Sequence, residues 1–186
     1  LTLAGSDANA NAGDLDLTDS VAIIGSGATT TIISANGGLG DRAFQVNNPV
    51  TVTMSGLTIQ NGNIAGNGGG LYSVSGANVT LVDSAVSNNT ISGANNGGGI
   101  YNPGGGTLTL MNVTVSGNTS STSGGGIHNN GTLVVNNSTV SGNTANNRGG
   151  GINTGGALTL TDSTVSGNTA TTSNGGGFRN SSTATG

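Results

Sequence analysis

The sequence predicts an all-β fold: a right-handed parallel β-helix, a three-sided β-solenoid of about six rungs of roughly 25–29 residues each. Three observations carry that prediction. A glycine triplet recurs at Gly68, Gly97, Gly124, Gly149 and Gly175, at spacings of 29, 27, 25 and 26 residues. Each triplet opens the same succession of short apolar runs. No 3.6-residue periodicity is present, and glycine and β-branched residues dominate, which argues against helices.

The elements follow in order. Behind each triplet comes one large apolar residue: Leu71, Ile100, Ile127, Ile152 and Phe178. About eight residues later a second strand is expected, at Val79–Leu81, Leu108–Leu110, Leu133–Val135 and Leu158–Leu160. A third is centred on Val86, Val115, Val140 and Val165, and Asn-Thr follows at Asn89, Asn118, Asn143 and Asn168. Three strands per repeat, with Gly, Asn and Ser turns between them, build a solenoid in which equivalent strands stack at roughly 4.8 Å. A leucine-rich repeat would show a different leucine pattern and one strand per repeat. The right hand is the rule for parallel crossovers.

Near-identity of successive repeats follows from this geometry. A residue that suits one rung suits the next, so Val140 is expected under Val165 and Leu133 under Leu158. The asparagines Asn89, Asn118, Asn143 and Asn168 are expected to pass amide hydrogen bonds along the axis. The glycine triplet supplies backbone freedom, including φ > 0, at a tight corner.

Residues 1–67 carry the same architecture with less regularity, and 68–186 the regular rungs, giving one domain over 1–186. Irregular strands are expected at Leu1–Leu3, Asp14–Leu17, Val21–Ile24, Thr31–Ile33, Ala43–Val46, Val50–Met54 and Leu57–Gln60. Val52 and Met54 align with Val79 and Leu81, and Ile59 with Val86. The axis is then about 30 Å long. The start at Leu1 and the stop at Gly186 inside a repeat predict a segment of a longer or processed chain, or a polymer subunit. Terminal rungs without a capping helix predict end-to-end self-association, a heterologous contact that builds a fibre.

Composition removes several functions. The chain has seven acidic residues, three basic ones and a net charge of -4, so it lacks the basic patch that nucleic acid requires. No apolar run approaches the roughly 20 residues of a membrane span, so no membrane insertion is expected of this segment. It has no cysteine, hence no disulfide framework and no thiolate metal site.

The motifs GGGIYN (97–102), GGGIHN (124–129) and VSGNTA (140–145 and 165–170) resemble those of bacterial exported right-handed parallel β-helix repeat proteins. These include the polymorphic outer-membrane proteins, with their GGA-I/L and F-x-x-N repeats. Here the second motif carries Val for Phe, as in Val115-x-x-Asn118, Val140-x-x-Asn143 and Val165-x-x-Asn168. The stretch 14–38 is similar to the leading segment of large exported bacterial β-helix proteins. The resemblance implies the β-helix fold, an extracellular or cell-surface location on a bacterium, and a passenger, adhesin or surface role.

Many parallel β-helices act on polysaccharides, using paired carboxylates, often with Ca²⁺. Asp83 and Asp162 share a column, but Asn112 and Asn137 lie between them, roughly 14 Å of axis, too far for a pair. Asp14, Asp16 and Asp19 form a denser cluster, with Asp14 and Asp16 on one strand face. Their spacing matches neither an EF-hand nor the glycine-rich Ca²⁺ nonapeptide. The expectation is therefore no enzyme, no catalytic residue and no cofactor, with Ca²⁺ at these aspartates as the alternative.

The residue after each first-strand apolar position points outward. This gives a column of Tyr72, Tyr101, His128, Asn153 and Arg179, a contact strip for glycans or a protein partner. Arg42, Arg148 and Arg179 are expected on different corners. Outward threonines at Thr51, Thr53, Thr107, Thr109, Thr132, Thr159 and Thr161 raise ice binding, but the rows are broken by Asn78, Val82, Met111, Val134, Asn136 and Ala157. The leading expectation is an extracellular structural protein, a stalk or fibre segment. A surface adhesin or glycan-binding module is the alternative, and a carbohydrate-active enzyme fragment and an ice-binding solenoid come after it.

Overall fold

The computed structural model describes residues 14–35 and 40–181. The described residues form a β-solenoid of about six turns without a helix, every named strand pairing in parallel with its equivalent one turn away. The strand expected at Leu1–Leu3 lies outside the described residues.

Four sheets run along the axis, where the repeat suggested three. The first has seven strands, from Leu15–Leu17 through Leu71–Ser73 and Ile127–Asn129 to Phe178–Asn180. The second has six, including Thr51–Ser55, Asn78–Val82 and Ala157–Thr161. The third also has six, from Ile32–Ser34 to Thr164–Ser166. The fourth has five strands of two residues, such as Thr90–Ile91 and Thr144–Ala145. Four of the five begin directly after the repeated asparagine, in the Asn-Thr step expected to be a turn, and Asn63–Ile64 follows Gly62. The asparagine side chain at this bend bonds to the neighbouring turns, and the chain re-enters a ladder one residue later.

Alternation of side chains puts one face of each strand inside. In Asn78–Val82, Val79 and Leu81 are buried while Asn78 is exposed. The registers are those the sequence predicts: Val140 pairs with Val165, Leu133 with Leu158, Val52 with Val79, Met54 with Leu81, and Ile59 with Val86. Like-on-like columns of Leu, Ile and Val thus fill the interior. Burying one such side chain contributes about 1.5–3 kcal/mol.

The three glycines of the triplet do different work. Only the first holds φ > 0, from 59° to 84° across the five copies. The second and third are there for close approach. A Cβ on Gly98 would lie 2.4 Å from the Gly125 carbonyl oxygen and 2.5 Å from that of Thr119. One on Gly99 would lie 3.0 Å from the Asn118 amide. The triplet and the repeated asparagine are therefore one device: the third glycine leaves the space in which the amide sits.

Candidate functional site

The buried asparagine ladder is the most complete array. Asn118 Oδ1 accepts from the Asn89 backbone N–H at 3.0 Å and from Asn89 Nδ2 at 2.9 Å. Asn118 Nδ2 donates onward to Asn143 Oδ1 at 2.9 Å and to the Val86 carbonyl at 3.0 Å. Asn143 repeats this toward Asn168. The ladder is headed by Gly62, whose N–H donates to Asn89 Oδ1 at 2.9 Å. Asn89, Asn118 and Asn143 are fully buried, and each amide is satisfied along the axis.

A second polar ladder was not anticipated. Ser73 donates to Asn102, Asn102 to Asn129 at 2.7 Å, and Asn129 to Thr154 at 3.0 Å, all buried. In the first two turns the same column is apolar, with Leu17 under Val46. The recurrence of Asn in IYN, IHN and FRN was the available signal. A third set of bonds lines the next corner, where Ser138 Oγ accepts from Val113 N–H and Ser163 Oγ from Ser138 N–H.

The outward column of the first sheet holds the predicted Tyr72, Tyr101, His128, Asn153 and Arg179 in register, preceded by Asp16 and Gln45. Its surroundings differ from an open strip. The Tyr72 and Tyr101 rings stack at 5.7 Å, and Tyr101 stacks on His128 at 5.2 Å, so both faces of Tyr101 are covered. His128 is only 9% exposed and Asn153 5%. Ser123, Gly124 and Asn130 close around the imidazole. Burial lowers the His128 pKa to about 4, against hydrogen bonds to the Asn130 side chain and the Ser123 backbone. Burial raises that of Tyr101, with the Tyr72 hydroxyl adding to the shift and the Asn130 side chain opposing it.

Arg42 was expected on a separate corner; it joins this column. Its guanidinium lies 4.9 Å from the Tyr72 ring centroid and pairs with Asp14 at 3.5 Å. Burial lowers its pKa and Asp14 opposes the shift, so it stays charged. Arg179 donates to Asn153 Oδ1 at 3.3 Å, so cations stand at both ends of the aromatic stack.

Asp14 and Asp16 both favour the charged form of Arg42, and Asp19 does not join them there. Asp14 faces Arg42, Asp16 accepts from Asn47, and Asp19 accepts from Thr18. Among the described residues no group of three His, Cys, Asp or Glu side chains is placed to hold a metal ion. Asp83, Asn112, Asn137 and Asp162 all hold left-handed backbone, with φ between 46° and 57°. Their column is a turn requirement, since Asn and Asp tolerate that region better than other non-glycine residues.

The outward threonines of the second sheet are aligned and interrupted as expected, Thr109 pairing with Val134 and Thr132 with Ala157. More regular hydroxyl columns stand on the third and fourth sheets: Ser87, Ser116, Ser141 and Ser166 in one, Thr90, Thr119, Thr144 and Thr169 in another. No family model, curated protein or solved structure matches the chain.

Proposed function

We propose that this chain is an extracellular structural protein, a stalk or fibre segment of a bacterial surface or matrix, that polymerises by end-to-end stacking. The observation that carries this reading is the direction of the hydrogen bonds. Backbone bonds between turns, the Asn89–Asn168 ladder and the Ser73–Thr154 ladder all point along one axis. Bending or shearing such a rod strains many bonds together, which makes it stiff. The resemblance of the GGGI and V-x-x-N repeats to exported β-helix proteins supports the location.

Electron microscopy of the protein as isolated tests the reading. Uniform fibres with an axial repeat near 30 Å are expected. Discrete particles at every concentration would defeat end-to-end stacking.

The second reading, a glycan-binding adhesin, is favoured by the contiguous outward column from Tyr72 to Arg179. Because the Tyr101 faces are already stacked and Asn153 is buried, a sugar would have to meet ring edges and Arg179. Loss of glycan binding in Tyr101→Ala with the fold intact would support it.

A further inference from the structure

The far end of the outward column holds a chain of three polar side chains with fixed roles. A guanidinium only donates, so the Asn153 oxygen must face Arg179, and Arg179 Nη1 lies 3.3 Å from it. That orientation turns Asn153 Nδ2 toward His128 Nδ1, at 3.2 Å. An amide nitrogen also only donates, so Nδ1 must be the unprotonated, accepting nitrogen. Arg179, through Asn153, therefore dictates the tautomer and charge state of a histidine two strands away.

A proton on Nδ1 would place two donors face to face. The amide relieves this by turning over, and its NH₂ then faces the Arg179 guanidinium, again donor against donor. The neutral state keeps the His128–Asn153 and Asn153–Arg179 bonds together, whereas the protonated state gives up one of the two. We propose that His128, Asn153 and Arg179 form a proton-operated latch, in which a proton taken from water onto His128 Nδ1 turns the Asn153 amide, frees Arg179 and loosens the strand Phe178–Asn180 from Ile152–Thr154.

Burial of the imidazole favours this response, and its hydrogen bonds to the Asn130 side chain and the Ser123 backbone oppose it. Tyr101 covers one face from the preceding turn, and Ser123 and Asn130 close the sides. The cations on adjoining elements are Arg179 and Arg148, the latter bridged through its backbone to Ser123. No carboxylate enters the column between Tyr72 and Arg179 to welcome an imidazolium. Low proton affinity of the buried ring, with its pKa near 4, agrees with the geometry. Linkage then gives the sign. The released state binds the proton at the ordinary histidine pKa, so the latch weakens as pH falls from about 6.5 toward about 4 and changes no further below. The latch stands whether or not the chain forms fibres.

Native-state hydrogen exchange tests it at two amides that bond across this strand pair: Ser181, which donates to Thr154, and Ile152, which donates to Gly177. Their protection factors should fall by up to about tenfold per pH unit between pH ~6 and ~4. In His128→Gln they should be flat over that range. A flat native profile, or an equal fall in the variant, overturns the latch. Asn153→Asp supplies an acceptor to both neighbours. In it, His128 should titrate higher by NMR and the two amides should stay protected. Acid loosening that persists with Asn153→Asp also overturns the proposal.

Discussion

Asn118 Nδ2 lies 2.9 Å from Asn143 Oδ1, and Asn118 Oδ1 holds both the backbone N–H and the side-chain amide of Asn89. One side chain thus ties three turns together in a buried interior. Asn118→Ala should leave the Asn89 donors buried and unmatched, at about 3 kcal/mol. Asn118→Asp should cost more, because a carboxylate cannot donate to Asn143 and brings a charge into the core. Denaturant unfolding measures both. A loss below about 1 kcal/mol for the alanine variant would mean that water replaces the ladder.

The glycines separate into two mutational classes. Gly125→Ala would bring a Cβ to 2.4 Å from the carbonyl oxygens of Gly150 and Thr144, both backbone atoms that cannot yield cheaply. It should fail to fold or lose several kcal/mol, as overpacking does, on the order of 3 kcal/mol. Gly142 has φ +64 and nothing within 4 Å of its added Cβ. Gly142→Asn should be nearly neutral, since Asn88 holds the equivalent position at φ 57. Comparable midpoints for the two variants would contradict the close-approach argument.

Arg42 is paired with Asp14 and stacked over Tyr72, with both charged side chains 11% exposed. Arg42→Ala should strand the carboxylate and loosen the first turn, at a cost of about 3 kcal/mol. Arg42→Met, with Asp14→Leu added, should recover most of that. Exchange protection of the Leu15 amide, which donates to Ala43, reports the effect locally. Equal protection in native and Arg42→Ala protein would show the pair to be idle.

Tyr101 is held neutral by burial, with its pKa raised above the usual 10. The unfolded chain therefore releases this proton first as pH rises. Stability from Tyr101 is complete below pH 10 and is lost as pH climbs through the raised folded value. Ultraviolet titration should show a late-ionising tyrosine that disappears in Tyr101→Phe. Ionisation of both tyrosines at the ordinary value would refute the burial.

The repeat period settled which residues stack on which. In a solenoid each residue packs on its equivalent one turn away, so spacing alone put Val140 under Val165, the four asparagines in one ladder, and Tyr72, Tyr101, His128, Asn153 and Arg179 in one outward column. Tertiary structure decided what depends on the path of the corners. Those segments differ in length between turns, and no periodicity describes how they fold back. They bury His128 beneath Ser123, Gly124 and Asn130, and they carry Arg42 onto Tyr72. The column is therefore legible as a row of residue types, but not as a stacked and largely covered array. The fourth sheet and the Ser73–Thr154 ladder were hidden for a related reason. Two-residue strands and isolated polar columns carry too little pattern to be seen until the neighbouring turns complete their hydrogen bonds.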